Sequence, residues 1–166
     1  PFAVEGFQRT DLGDRDTKRI INMVQLGRAL ADDIGWNGKE LEPPIKCLFV
    51  YNADPANCVP NSTNARKGLL RDDLFTVVHD TFWSDTCDYG DIVLPADTQL
   101  ERTDIHAAYG FYHYAMNRPV IEPLGESVSN SELFRRMALK MDYVATSDDA
   151  FTQTDEDIIR DVLMKG

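Results

Sequence analysis

Two groups of polar side chains in this sequence stand where a ligand would be expected. The first is Asp80, Ser84, Asp85 and Thr86, in the polar stretch His79 to Thr86 that follows the apolar run Leu74 to Val78. The second is Asn52 and Asp54, after the apolar run Ile45 to Tyr51 and ahead of Pro55. Carboxylates accept hydrogen bonds in pairs and hydroxyls both donate and accept. The first N–H groups of a helical turn point outward at anions. If the two apolar runs are parallel strands, these residues lie at carboxyl ends, where open parallel sheets hold their ligands. The plainer alternative is structural. Asp80 can cap the turn that follows it, and Asn52 and Asp54 before a proline are ordinary turn formers.

The elements that must position these groups are legible. Ile45 to Tyr51, Leu74 to Val78 and Ile92 to Leu94 (stopped by Pro95) are short apolar runs bounded by turn residues, the pattern of strands covered on both faces. A helix is predicted from about Asn61 to Leu70. The segment between the first two strands is too long for a hairpin and suits a parallel crossover. The expected fold is therefore α/β, a three-layer αβα, Rossmann-like, doubly wound and mainly parallel sheet, in a single domain over residues 1–166. Three loops, 52 to 55, 79 to 86 and 95 to 101, should converge on one edge of that sheet.

Elsewhere the pattern is helical or irregular. Residues 1–19 are polar and aperiodic and read as a lead-in loop. Asn22 with Gln25 has capping-box spacing and opens an amphipathic helix with Met23, Leu26 and Leu30 on one side. Gly35 takes the left-handed position that ends it. Thr103 to Pro123 carries Tyr109, Phe111, Tyr112 and Tyr114 without a clean period. It reads as an irregular excursion packing aromatics onto the sheet, with Ile121 in a short edge strand. Ser129 with Glu132, and Thr154 with Asp157, open two more helices. Their inward faces are Leu133, Phe134, Met137 and Met141 in one, and Ile158, Ile159, Val162 and Leu163 in the other.

Composition excludes several functions. The 166 residues suffice for one domain with a real core, and 43% hydrophobic with 27% charged is ordinary for a globular domain. Acidic residues outnumber basic ones by 28 to 17, a net charge of −11. Nucleic acid and anionic membrane both need a basic footprint, so neither is an expected partner. No run approaches the ~20 apolar residues of a membrane span, so direct insertion is not expected. A phosphate-bearing ligand would have to be held by local N–H groups and helix N-termini against a repulsive field. Cys47, Cys58 and Cys87 form no C-x-x-C pair and read as packing residues. His106 and His113 flank an aromatic run without metal-ligand spacing.

The residues quoted above also carry a resemblance. TVVHD, TFWSDT and YGDIVLP, followed by Glu101, are similar to the strand, Asp, Thr/Ser-rich loop and A-D-I-V-L-P-type segment of the molybdopterin oxidoreductase family. That family includes dimethyl sulfoxide reductase, formate dehydrogenases and periplasmic nitrate reductases. IKCLFVYNADP resembles its strand running into an Asn-x-Asn-Pro loop. IEPLGESVSNSELFRRMA resembles the segment leading to its next helix, and INMVQLG matches one branch. Most of residues 20–142 is covered.

The resemblance implies a cofactor, bis(molybdopterin guanine dinucleotide) with molybdenum or tungsten, whose guanosine and phosphate end this sheet edge would hold. Asp80 matches the family's Asp at the end of this strand. Guanine presents a ring N–H and an amino group side by side, and a carboxylate accepts both in a charge-assisted pair, whereas adenine offers no such pair. Ser84 and Thr86 would supply hydroxyls. The sequence departs from the family at Asp54, where Asn is usual; a carboxylate there repels pyrophosphate, so Asp54 faces a ribose hydroxyl or points away. It departs again at Gly90 (usually Ala) and at Ala115 (often Gln). Cys58 and Cys87 stand where the family tends to have Ala or Ser.

No counterpart of the family's molybdenum ligand or amino-terminal iron–sulfur cysteines is present in the sequence. The resemblance therefore implies a protein several times longer, of which this chain is part of the third domain and inactive alone. The small-molecule substrate, the redox partner, an iron–sulfur cluster and the remaining domains would belong to that whole, in cytoplasm or periplasm. Two rival readings are a non-catalytic scaffold of the same fold in a respiratory complex and a general nucleotide-binding α/β module.

Overall fold

Every side chain from Thr76 to His79 is buried, and a strand shielded on both faces belongs in the middle of a sheet. In the computed structural model of the chain, which describes residues 19–35, 37–107, 110, 113–141 and 151–165, that is its place. Strand β2 (Phe75–Asp80) lies between β1 (Cys47–Tyr51) and β3 (Ile92–Pro95), and both pairings are parallel. Val50, Val78 and Val93 fall in register and, with Leu48 and Cys87, form one core cluster. The expected α/β fold is thus present. β2 runs two residues further than the periodicity of the sequence suggests, so His79 and Asp80 end the strand instead of opening the loop.

The described residues form two compact units, one up to Ala96 and the other from Asp97 onward. In the first, α1 (Leu26–Asp32), α2 (Pro55–Cys58) and α3 (Ser62–Leu69) accompany the sheet. Leu30, Ala56, Leu69 and Leu74 form their core. The crossover from β1 to β2 contains two helices, not the single one predicted: Pro55 starts α2, Val59 leaves it extended ahead of Pro60, and Asn61 (φ 59°) opens α3. Helices α1 and α3 meet at two glycines. A methyl on Gly68 would lie 2.3 Å from Leu30 Cβ, and one on Gly27 2.9 Å from the Ala65 nitrogen. No other residue permits that approach without movement of a helix.

The upstream helix departs from its reading at both ends. The Asn22 side chain accepts from the Val24 N–H at 3.1 Å, but Met23–Gln25 is a 3₁₀ turn and Gln25 Oε1 is buried without a partner among the described residues. Met23 is exposed. Asp33, not Gly35, holds the left-handed C-cap (φ 51°), a position that a short polar side chain tolerates. Arg71 then closes the helix end, donating from Nη1 to the Leu30 carbonyl at 2.8 Å and to Asp33 Oδ1 at 2.9 Å. Its Nε and Nη2 grip both oxygens of Asp73, which Lys46 also meets. Hydrogen bonds from Arg71 and then Lys46 hold the Asp73 carboxyl well below its usual range. Hydrogen bonds to Asp73 and then Asp33 hold the guanidinium above its own.

Two cysteines expected to pack do not. Cys47 and Cys58 are exposed, and only Cys87 is buried. Side chains alternate across a strand, so Cys47 shares a face with exposed Tyr51, opposite the one that buries Val50.

In the second unit the irregular excursion proves to be partly ordered. β4 (Asp104–Ala107) and β5 (Tyr114–Asn117) pair antiparallel, with Ile105 opposite Met116, and Ile121 lies outside any strand. Tyr109, Phe111 and Tyr112 lie outside the described residues. Strands of four residues each are too short to show a period. Helix α4 (Asn130–Lys140) opens on Ser129, whose Oγ accepts from Glu132 N–H at 3.2 Å. Helix α5 (Asp155–Lys165) has a reciprocal cap, Asp157 N–H to Thr154 Oγ1 at 3.2 Å and Thr154 N–H to Asp157 Oδ2 at 3.1 Å. Leu133 and Ile159 are buried as expected, whereas Phe134, Met141, Ile158 and Leu163 are exposed in this chain. Glu101 is buried and accepts Thr98 N–H and Leu124 N–H at 2.7 Å each. Those bonds, the Thr98 ones first, depress its carboxyl from the ordinary value. No described helix is long and apolar enough to cross a membrane.

Candidate functional site

The carboxyl ends of β1 and β2 are joined by one side-chain pair. β1 leaves the sheet through Asn52, whose φ of 53° turns the chain sharply, and Pro55 then starts α2 with its φ preset. Asp54, between them, turns its carboxylate to the other loop. Its Oδ1 accepts the Thr86 N–H at 3.1 Å and the Thr86 hydroxyl at 2.5 Å. That hydroxyl oxygen in turn accepts the Ala56 N–H at 3.0 Å. Thr86 is wholly buried. Of the two orientations open to Asp54, ribose-facing or turned away, its carboxylate takes an inward one, bonded within the protein.

Asp80, the last residue of β2, curls the following loop around itself. Its Oδ1 accepts Thr81 N–H at 2.7 Å and Phe82 N–H at 3.5 Å, and its carbonyl accepts Ala96 N–H at 2.9 Å. Oδ2 accepts no hydrogen bond among the described residues. Beneath it His79 is 1% exposed, with Nε2 at 3.2 Å from the Pro95 carbonyl. A carbonyl only accepts, so that nitrogen carries the proton. Beyond it Phe82 and Trp83 are 79% and 73% exposed, and Trp83 Nε1 donates to Asp88 Oδ1 at 2.8 Å.

Ser84 is the N-cap of the 3₁₀ turn Asp85–Tyr89 but makes no capping bond; its Oγ lies 3.5 Å from Cys87 Sγ. Asp85 faces Arg66 of α3, whose Nη2 donates to Oδ2 at 3.2 Å, while Nε donates to the Ala56 carbonyl at 2.8 Å. Arg66 thus touches both loops. In the sequence it reads as part of a solvated helix face next to Lys67, and nothing local marks it. Asn52 and Asp54 also line a groove of about 530 Å³ with Met23, Leu26, Tyr51 and Cys58.

The six candidate residues therefore gather as two loops joined at Asp54 and Thr86, with Asp80, Ser84 and Asp85 along the second. Of the third predicted loop, Pro95 and Ala96 pair with β2, while the chain from Asp97 belongs to the other unit. Among the described residues no group of three or more His, Cys, Asp or Glu could hold a metal ion. The arrangement offers a carboxylate with one open oxygen, hydroxyls and one arginine, groups that bind and orient a polar ligand.

Comparison with known proteins agrees with this architecture. The chain is 43% identical over 162 residues to the probable oxidoreductase YoaE of Bacillus subtilis, covering 98% of itself and 22% of that protein. It is 32% identical over 127 residues to trimethylamine-N-oxide reductase 1 of Escherichia coli, covering 72% of itself and 14% of the reductase. Its structure matches acetylene hydratase from Pelobacter acetylenicus with a TM-score of 0.59 and 27% identity, over 73% of this chain and 16% of that one. The chain thus spans less than a quarter of the length of each. The family model for molybdopterin oxidoreductase matches residues 6–140, and this chain belongs to the molybdopterin oxidoreductase family.

Proposed function

We propose that this chain is part of the cofactor-binding region of a molybdenum or tungsten enzyme, and that its loops 52–55 and 80–86 hold the guanosine and phosphate end of a molybdopterin guanine dinucleotide. The observation that carries this reading is Asp80. It ends the central strand of a parallel sheet, at the place where such sheets bind ligands, and keeps Oδ2 open while Oδ1 is taken by its own loop. The residues present fit the group. Asp80 would accept guanine's donors at its open Oδ2, Asn52 and Ser84 would reach sugar hydroxyls, and Asp54 with Thr86 would keep the two loops at a fixed separation. Asp85 would act through its partner, Arg66.

The bound group would supply electron or oxygen-atom transfer, and the protein position and electronics. This chain's part in that is to bind one end and hold it still. Substrate selection, the metal ligand and an iron–sulfur cluster belong, on this reading, to the remainder of the longer protein. The names of its relatives include a reductase and a hydratase, so membership does not itself specify the substrate.

The test uses the full-length natural protein, purified anaerobically from a host that makes the cofactor. Molybdenum, tungsten and acid-released GMP are quantified together. About two GMP per metal are expected for a bis-dinucleotide cofactor. Metal without GMP would overturn the guanosine assignment, and neither metal nor GMP would leave the scaffold reading.

A further inference from the structure

The two joined loops bear the carboxylates of Asp54, Asp80, Asp85 and Asp88 on a chain of net charge −11. Backbone N–H groups could hold an anionic ligand there, but those at the start of α2 and within the 3₁₀ turn are already engaged. Pro55 has none. Ala56 N–H goes to Thr86 Oγ1, and the N–H groups of Asn57 and Cys58 go to the Asp54 carbonyl at 3.1 and 2.7 Å. In the 3₁₀ turn, Thr86 N–H goes to Asp54 and Cys87 N–H to the Ser84 carbonyl. The electrostatic work therefore falls to a side chain, and Arg66 is the one bonded to both loops.

We infer that Arg66 is the phosphate anchor of this site and that Asp85 is its resting counter-ion. The inference rests on the guanosine reading above and adds the group that receives the charged end of the nucleotide. Arg66 is held by Nε on the Ala56 carbonyl, which fixes the plane of the guanidinium. Its Nη1 makes no hydrogen bond among the described residues. Nη2 is engaged by Asp85 in an ion pair with both side chains about half exposed, at 43% and 58%. Exposed pairs of this kind contribute little, typically ~0–1 kcal/mol. A phosphate can therefore share or replace Asp85 at the Nη1–Nη2 end of the fork, the geometry in which arginine grips phosphate.

The experiment measures binding of guanosine, GDP and ADP to cofactor-free full-length protein by equilibrium dialysis, at two salt concentrations. Wild type should bind GDP more tightly than guanosine, by about tenfold or more, with the difference shrinking as salt rises. Arg66→Gln should remove most of that difference and leave guanosine affinity unchanged. Arg66→Lys should restore part of it, as a point charge without the fork. Asp85→Asn should raise GDP affinity by removing a competing anion.

Equal binding of GDP and guanosine by wild type would overturn the anchor while leaving Asp80 to be judged by Asp80→Asn. A loss of guanosine and GDP affinity in parallel in Arg66→Gln would make Arg66 a purely structural residue and overturn it also. If GDP and ADP bind alike and only Arg66→Gln weakens both, the anchor stands and the guanine assignment falls.

Discussion

Asp54 and Thr86, 32 positions apart, are joined twice, by a hydroxyl at 2.5 Å and an N–H at 3.1 Å on the same carboxylate oxygen. These paired hydrogen bonds tie the two loops to each other, beyond the pairing of the strands they follow.

Thr86→Val should therefore destabilise the chain by about 2 kcal/mol, since Ala56 N–H and a carboxylate oxygen lose a buried partner. Thr86→Ser should retain most of the stability by keeping the hydroxyl. Hydrogen exchange of residues 52–58 in the full-length protein reads the effect locally, and unchanged protection in Thr86→Val would show that the pair is dispensable.

Asp80→Asn should abolish discrimination between guanine and adenine nucleotides, since an amide whose oxygen stays on the loop turns an NH2 donor, not an acceptor, toward guanine's donors. Thermal stability should change little, because Asn can still accept from Thr81 N–H through its carbonyl oxygen. A competition assay between GDP and ADP on the cofactor-free full-length protein measures it directly. Selectivity that survives the substitution would place the base elsewhere.

Gly68→Ala should destabilise in spite of alanine's helix propensity. The propensity gain is about 1 kcal/mol, while overpacking against Leu30 costs about 1–3 kcal/mol and here meets backbone at 2.7 Å. The expected net is a loss, read as a lower urea midpoint and faster exchange in α1 and α3 together. A neutral or stabilising result would show that α1 can shift freely.

The pH dependence of stability should have an acid limb with two parts. The folded carboxyls of Glu101 and Asp73 lie below their unfolded values. Their contribution is thus fully present above the ordinary carboxylate range near pH ~4 and is lost as pH falls through it toward the folded values. The Asp73 part rests on ion pairs at a half-exposed carboxylate and should shrink with salt. The Glu101 part rests on backbone N–H donors and should not. Urea midpoints between neutral pH and about pH 3, for wild type, Asp73→Asn and Glu101→Gln, separate the two.

Much of this fold was legible because local rules determine it. The strands of the parallel sheet announced themselves by short apolar runs, and the caps at Ser129 and Thr154 by spacing alone. Asp80 could be singled out because it follows one of those runs closely, although the strand itself extends to include it. What stayed hidden depends on distance or on conformation. The partnership of Asp54 with Thr86 and the double attachment of Arg66 join residues far apart in sequence, and no local pattern encodes them. Helix α2 lies between Pro55, which starts it, and Pro60, which follows its end, a stretch that reads as loop, and Asp33 took a left-handed turn for which glycine two residues later looked better suited. The hairpin of β4 and β5 was missed because four-residue strands are too short to show an alternation.

The seam at Gly27 and Gly68 has one more consequence, for comparing proteins of this kind. Because it admits not even a methyl group, it works as a gauge. A relative that carries alanine or serine at either place must hold its two helices measurably farther apart, and must lengthen or re-bend the crossover between its first two strands to allow it. Sequence at two positions then reports a dimension of the fold, before any coordinates are known.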